Sequence, residues 1–259
     1  MAKKRIGIAL SGGGVKALAH VGLLQALLEH DIEPNIVAGT SGGALVAALY
    51  GAGKSPEEMV DFFKKTPLFK FSLITWNKAG IVDSAKYQKI FREALGVNTF
   101  EDLKYPTTFT ATNISDGTLA YFSKGDLIKP LIASSALPPY FSPVNIDGQL
   151  YTDGGVLNNF PIEPLKKRRC PIILGSFVNP VLHIQPREVS NILKLMQRVY
   201  HISLEANHEK KIEKCNYVFM PEEVSKIGLL DTRMINKAYR LGYEHALSEM
   251  SKIMKAIAV

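Results

Sequence analysis

Residues 35–50 read Asn-Ile-Val-Ala-Gly-Thr-Ser-Gly-Gly-Ala-Leu-Val-Ala-Ala-Leu-Tyr, an apolar strand followed by a glycine-rich turn and an apolar helix. Residues 5–28 have the same order: Arg-Ile-Gly-Ile-Ala-Leu, then Ser-Gly-Gly-Gly, then apolar positions at helical spacing. Strand, glycine turn and helix in repetition are typical of βαβ units, whose strands lie parallel in one sheet. The sequence therefore predicts an α/β fold.

The rest of the chain continues this alternation with one antiparallel insertion. Residues 55–58 (Ser-Pro-Glu-Glu) open a further helix with a capping pattern, and Asp116-Gly117 and Asp147-Gly148 each predict a hairpin. Later elements are predicted as strands at 171–177 and 216–220, a long amphipathic helix at 188–211, and a C-terminal helix from about residue 232 capped by Asp231. We expect a mostly parallel central sheet flanked by helices on both faces.

No Ser/Gly-rich linker and no internal repeat divides the sequence. We therefore expect a single domain over residues 1–259, in which C-terminal helices at about 186–259 complete the motif-bearing core at about 5–180. The N-terminus lacks the pattern of a signal peptide, and no apolar run approaches the roughly 20 residues that span a bilayer. These features predict a cytoplasmic protein.

The formal net charge is +7, with 31 Lys and Arg against 24 Asp and Glu. An ordinary solvated basic surface explains this charge, and so does peripheral attraction to the anionic inner face of a membrane. Nucleic-acid binding is not expected, because no recognised nucleic-acid-binding motif accompanies the charge.

Ser41 lies in the pattern Gly39-x-Ser41-x-Gly43, between a predicted strand and a predicted helix. A serine in such a turn is held in a sharp elbow that exposes its hydroxyl, and the N-terminus of the following helix stabilises a developing oxyanion. The sequence therefore predicts Ser41 as a nucleophile. The alternative is a plain glycine turn at a helix start.

Gly12-Gly13-Gly14 is the second glycine-rich turn, and its amide groups suit an oxyanion hole that faces Ser41. Dinucleotide binding is disfavoured, because the second strand ends in Ala38-Gly39-Thr40 without the acidic residue that holds the ribose. A phosphate-binding P-loop is excluded, because Lys16 is not followed by Ser or Thr.

A serine nucleophile needs a base. His183, on a predicted loop, would complete a Ser–Asp–His order, but Ser41 follows only the second strand, unlike the nucleophile of α/β-hydrolases. The other candidate is Asp153, which precedes Gly154 and Gly155; its alternative is a plain turn.

These motifs, together with residues 133–138 (Ala-Ser-Ser-Ala-Leu-Pro) and Asn159, resemble the patatin-like phospholipase family over about residues 5–180. The resemblance implies a three-layer α/β/α fold and a Ser–Asp dyad without a catalytic histidine. In it Ser41 attacks an acyl ester of a lipid, Asp153 acts as general base, and the glycine loop stabilises the oxyanion. The family's loop usually continues with Arg-Gly, whereas this chain has Lys16-Ala17.

The substrate region is predicted less directly. Lys16 is a candidate substrate contact, and Phe69 and Trp76 belong to an apolar segment, residues 68–76, that is either a rim for an acyl chain or ordinary core packing. No cofactor or metal is expected, since no calcium-loop spacing occurs. A non-enzymatic lipid- or partner-binding protein on a hydrolase fold is the alternative to a lipid esterase.

Overall fold

The computed structural model of the chain describes residues 5–66, 84–138, 140–205 and 208–258. The strands in these ranges are β1 (Ile6–Leu10), β2 (Ile36–Gly39), β3 (Thr107–Asn113), β4 (Thr118–Phe122), β5 (Val144–Ile146), β6 (Gln149–Asp153), β7 (Ile172–Ser176) and β8 (Tyr217–Phe219). The α-helices are α1 (Leu18–Glu29), α2 (Gly42–Gly51), α3 (Pro56–Lys65), α4 (Ser84–Leu95), α5 (Ile128–Ser134), α6 (Gly155–Asn158), α7 (Glu163–Lys167), α8 (Ile192–Glu205), α9 (Glu209–Ile212), α10 (Glu222–Ser225) and α11 (Ile235–Ala258).

The strands form one sheet in the order β5-β6-β3-β2-β1-β7-β8, and β4 also pairs with β3. Strands β3, β2, β1, β7 and β8 are mutually parallel, whereas β4 and β6 run antiparallel to β3, and β5 runs antiparallel to β6. The predicted parallel sheet with one antiparallel insertion is therefore confirmed. Leu10 of β1 is in register with Gly39 and with Ser176, so the carboxyl ends of three strands reach the same edge.

Side chains of β1 alternate between the two faces of the sheet, and those on opposite faces enter different apolar cores. Ile8 and Leu10 of β1 belong to the larger core, together with apolar residues of α1, α2 and α11. Ala9 belongs to the second core, with Phe160 and Phe177. Helical segments thus cover both faces, as the sequence predicts.

Helix α11 packs closely along α1. A Cβ atom on Gly242 would lie 2.5 Å from the Ala19 Cα atom, and one on Gly22 would lie 2.9 Å from the Gly242 carbonyl carbon. The two backbones approach this closely only because both positions are glycine. The C-terminal helix therefore packs against the first βαβ unit; the single-domain extent over residues 1–259 stays a prediction.

Local signals account for several element boundaries. The Ser55 hydroxyl accepts from the Glu58 amide and the Glu58 carboxylate accepts from the Ser55 amide, which confirms the predicted capping box of α3. Asp147 and Gly148 both have positive φ angles, 51° and 82°, as the β5–β6 hairpin turn requires. Asp231 caps a short 3-10 turn, Thr232–Met234, that leads into α11.

The prediction of one long helix at 188–211 was wrong. Helix α8 begins only after Asn191, whose side-chain oxygen accepts from the Lys194 amide at 2.9 Å and so caps the first turn. Helix α9 forms a separate segment in the same region. Among the helices in the described ranges, none has the length and apolar character needed to cross a membrane.

Candidate active site

The two glycine-rich turns lie side by side at the carboxyl edge of the sheet. Strands β1 and β2 are neighbours, so the segments that follow them leave the sheet together. A Cβ atom on Gly12 would lie 3.2 Å from the Ser41 Cβ atom, and one on Gly42 would lie 3.1 Å from the Gly14 nitrogen. The sequence-predicted loop at 12–14 and Ser41 are therefore in direct contact.

Ser41 occupies a strained turn. Its φ and ψ angles are 53° and −124°, a region that residues with a Cβ atom rarely adopt. The Ser41 carbonyl accepts from the amides of Ala44 and Leu45 at 2.9 and 3.1 Å, which starts α2, and its own amide donates to the Ser134 hydroxyl at 3.1 Å. These bonds hold the half-buried serine at the N-terminus of α2.

The neighbouring glycines allow this elbow to pack against β1. A Cβ atom on Gly43 would meet the carbonyl groups of Leu10 and Ser11, and one on Gly39 would lie 2.8 Å from the Ala44 Cα atom. Any side chain at these positions would push α2 away from the sheet. The Gly-x-Ser-x-Gly pattern is thus explained here by close backbone approach.

Asp153 lies at the end of β6, where it pairs with Ala111 of β3, and its side chain is buried. Its Oδ1 atom accepts from the Gly155 amide at 2.7 Å. Its Oδ2 atom is buried as well, and it has no hydrogen-bond partner in the part of the chain that the structure describes. A buried carboxyl oxygen without a partner is costly, so this atom is available to a group that enters the site.

Burial raises the pKa of Asp153 to about 7. The Ser41 hydroxyl and the Gly155 amide offset part of this rise, which places the serine side chain next to the carboxyl. The Ser41 hydroxyl thus lowers the pKa of the Asp153 carboxyl, but it does not form a hydrogen bond of ordinary geometry to Oδ2. The arrangement combines a serine hydroxyl with a carboxyl group that ionises near neutral pH.

A buried hydroxyl network joins the serine elbow (residues 39–43) to the segment 153–158, here called the aspartate loop. The Thr40 hydroxyl donates to the Asn158 carbonyl at 3.0 Å and lies 2.6 Å from the Thr110 hydroxyl, which therefore donates to it. A Cβ atom on Gly154 would collide with the carbonyl and the hydroxyl of Thr110. Glycine after Asp153 thus lets the aspartate loop lie directly against β3.

The glycine loop presents two amides to this edge. The Gly12 amide donates to the Asn159 carbonyl at 3.1 Å, so it is already occupied. The amides of Gly13 and Gly14 donate to no acceptor among the described residues. Gly14 has a positive φ of 55°, and a Cβ atom there would meet the Leu229 carbonyl.

His20 lies beneath the glycine loop and is fully buried. Its Nε2 atom lies 2.9 Å from the Ser11 carbonyl oxygen, so Nε2 carries the proton, and Nδ1 accepts from the Ser176 hydroxyl at 2.7 Å. Burial lowers the pKa of His20 to about 4, and the bond to Ser11 offsets part of that decrease. Neutral His20 therefore ties the start of the loop to β7.

Lys16 is also buried, and its Nζ atom donates to the Asn179 side-chain oxygen at 2.7 Å. Its role as a substrate contact stays a prediction. Phe69 and Trp76, predicted as a rim or as core packing, lie outside the described residues. In the described ranges, the His, Cys, Asp and Glu side chains form no group of three or more that could hold a metal ion.

None of the described histidines forms a hydrogen bond to the Ser41 side chain. His183, the alternative base, is exposed on the segment after β7 and has no hydrogen bond to Ser41 or Asp153 in the described structure. His201 bonds to the Asn179 carbonyl, and His208 and His245 pack on aromatic rings. The structure thus brings Ser41 together with Asp153, and no histidine in the described ranges is hydrogen-bonded to either side chain.

Sequence reasoning assigned no role to several groups that position this site, although Asn159 and residues 133–138 belong to the resemblance. Ser134 supports the serine amide, and Asn159 receives the Gly12 amide. The Asn158 side chain contacts Tyr121, Glu163 and Lys211, which fixes α6 after the aspartate. The nearest sequence signal was the block of small and polar residues at 133–138, which showed no role on its own.

Known proteins are similar to this chain in sequence. The patatin-like phospholipase family model matches residues 8–166, which include all three motifs. An uncharacterized NTE family protein of Mycobacterium tuberculosis is 29% identical over 75% of this chain and 56% of its own length. The lysophospholipase nte1 of Emericella nidulans is 24% identical over 96% of this chain. The chain spans only 18% of that fungal protein.

Solved structures share the fold. VipD from Legionella pneumophila has a TM-score of 0.53 at 15% identity and covers 95% of this chain and 66% of its own. The type III effector protein ExoU of Pseudomonas aeruginosa has a TM-score of 0.51 at 14% identity, over 95% of this chain and 53% of its own. Since the family model covers more than half of the sequence, and the serine elbow and aspartate loop it includes meet at one edge of the sheet, the chain belongs to the patatin-like phospholipase family.

Proposed function

We propose that this chain hydrolyses acyl esters of lipids, of the lysophospholipid or phospholipid class, through an acyl-enzyme on Ser41. Membership of the patatin-like phospholipase family supports a lipid ester as substrate, and one relative is named a lysophospholipase. Asp153 is the general base in this proposal. No histidine takes part.

The observation that carries the proposal is the Ser41 hydroxyl beside the buried carboxyl of Asp153, whose Oδ2 atom has no hydrogen-bond partner among the described residues. An ordinary carboxylate is a weak base toward a hydroxyl, because its pKa lies near 4. Burial raises the pKa of Asp153 to about 7, which makes its carboxylate a stronger base near neutral pH. The unpartnered Oδ2 atom is the acceptor that a serine proton requires.

The reaction follows from these groups in two stages. The Ser41 oxygen attacks the ester carbonyl carbon while Asp153 takes the hydroxyl proton; the tetrahedral intermediate then expels the alcohol, which leaves with that proton. In the second stage a water attacks the acyl-serine, Asp153 takes a water proton, and the collapse of the intermediate returns it to Ser41. The fatty acid leaves, and both residues regain their starting state.

The oxyanion of each intermediate needs donors that are free beforehand. We assign this role to the amides of Gly13 and Gly14, which have no acceptor among the described residues, with the N-terminus of α2 adding its dipole. Gly12 has a structural role instead, because its amide donates a hydrogen bond to the Asn159 carbonyl. Removing one such donor typically costs about 10²–10³ in turnover.

The test is release of fatty acid from lysophosphatidylcholine and from a short soluble ester by the purified chain. Ser41→Ala and Asp153→Asn should each lower kcat by about 10⁴-fold or more. Ser248→Ala and Asp116→Asn make the same exchanges at exposed positions and should leave turnover unchanged. Folded wild-type protein without turnover, or Ser41→Ala with full turnover, would refute the proposal.

A further inference from the structure

Helix α8 exposes an unusual amount of apolar surface. Its exposed apolar side chains, here called the α8 apolar face, are Ile192 (67% exposed), Leu195 (45%), Met196 (56%), Val199 (58%) and Ile202 (47%). At 100° per residue they lie within an arc of about 120° on one side of the helix. Single exposed apolar residues are ordinary, but a continuous face of five marks a binding surface.

The polar side of the same helix faces the protein. The Arg198 guanidinium donates to the Leu182 carbonyl at 2.7 Å, and His201 Nε2 donates to the Asn179 carbonyl at 3.0 Å. These two bonds fix which side points outward. The five apolar side chains of the α8 apolar face therefore point toward the surroundings, while Arg198 and His201 bond to the protein.

The α8 apolar face adjoins the proposed catalytic residues. Helix α6, which starts two residues after Asp153, packs against α8, and Leu157 of α6 is itself 46% exposed. Asn179 links α8 to the glycine loop, because its carbonyl accepts from His201 and its side chain accepts from Lys16. Exposed apolar surface thus extends from α8 to the segment that follows the aspartate.

The charges on this helix are mostly basic, and its one acid is its last residue, Glu205. Lys194 and Arg198 are its cations, and residues 189–204 contain no Asp or Glu. The whole chain carries +7. An apolar face on a helix with more basic than acidic residues is typical of a helix that lies in the interface of an anionic bilayer, where basic residues attract the head groups.

We propose that the α8 apolar face, with the exposed Lys194, docks the protein on an anionic phospholipid surface beside the segment that follows Asp153. The proposal deepens the proposed function and rests on it for the choice of lipid over protein as the occupant. An ester held in a bilayer must reach the serine, and a docking helix next to the aspartate loop shortens that path.

The test is co-sedimentation with phosphatidylcholine–phosphatidylglycerol vesicles, carried out in Ser41→Ala protein so that binding does not depend on hydrolysis. Leu195→Glu combined with Met196→Glu should weaken binding by about tenfold or more, because two apolar anchors are lost. Lys194→Gln should weaken it about fivefold, and only on anionic vesicles. Leu247→Glu with Met254→Glu is the matched control, since these side chains are 40% and 51% exposed on α11, and it should bind as before.

Thermal melting and sedimentation velocity complete the design. All variants should melt as Ser41→Ala does, since the substituted side chains are exposed. Equal vesicle binding by the α8 and α11 variants, or no binding by Ser41→Ala, would overturn the proposal. A dimer that the α8 double variant converts to a monomer, without vesicle binding, would overturn it in favour of a second copy of this chain.

Discussion

Replacing Asp153 with Asn should change the stability of the fold in a manner that depends on pH. The pKa of this buried carboxyl is about 7 in the folded chain, against an ordinary value of 3.8. Each unit corresponds to 1.36 kcal/mol, so ionising the folded carboxyl costs about 4 kcal/mol more than ionising the unfolded one. Asn mimics the protonated form and carries no such cost.

The direction in which stability changes with pH follows from whether the folded or the unfolded chain binds the proton. Between pH 3.8 and about 7 the unfolded chain ionises while folded Asp153 stays protonated, so wild-type stability falls as pH rises and the loss is complete above about 7. Asp153→Asn lacks this decline. Its free energy of unfolding, relative to wild type, should therefore rise by about 3 kcal/mol from about pH 5 to about pH 8.5.

Urea denaturation of both proteins across this pH range measures the difference. Other titrating groups, His20 among them, are common to both chains and cancel. Asp116→Asn removes an exposed carboxyl and gives the baseline for losing one negative charge. A difference that stays flat with pH, at constant m-value, would refute the raised pKa and the base assigned to it.

Three further changes test the geometry. Ser41→Gly should stabilise the fold by about 1 kcal/mol, because glycine tolerates the positive φ, whereas Ser41→Ala keeps the strain; thermal melting distinguishes them. Gly154→Ala should cost about 2 kcal/mol or more through its collision with Thr110. Gly228→Ala should be tolerated in the same urea titration, because a Cβ atom there would make only an ordinary contact, 3.5 Å from the Asp231 Cβ atom. His20, with its pKa lowered to about 4, should make stability fall as pH decreases from about 6.5 to about 4, since only the unfolded chain takes up the proton; His20→Gln should reduce that slope.

Much of the fold could be predicted because its signals are local. The alternation of apolar runs with glycine turns identifies the parallel strands, and the pairs Asp116-Gly117 and Asp147-Gly148 identify the hairpins. The prediction of one helix at 188–211 was wrong because the helical periodicity of the sequence does not stop at Asn191. Only the side-chain cap formed by Asn191 shows where α8 begins. Periodicity also shows that α8 has an apolar side, but it does not show that this side faces outward.

Some features of the candidate site could likewise be predicted from the sequence, and others could not. Ser41 and Asp153 lie in short motifs that the sequence displays, and the structure brings them together. The bond from the Gly12 amide to Asn159 joins residues far apart in sequence, so no local pattern separates Gly12 from Gly13 and Gly14. The same holds for His20, which reads as an ordinary helical residue until its two buried partners are known.

The most direct test of the central claim is covalent labelling by a fluorophosphonate, followed by intact mass. Wild-type protein should gain one adduct at Ser41, Ser41→Ala should gain none, and Asp153→Asn should react far more slowly at neutral pH, while Ser248→Ala reacts as wild type does. Labelling that persists in Ser41→Ala, or a folded wild-type protein that never reacts, would contradict a serine activated by Asp153.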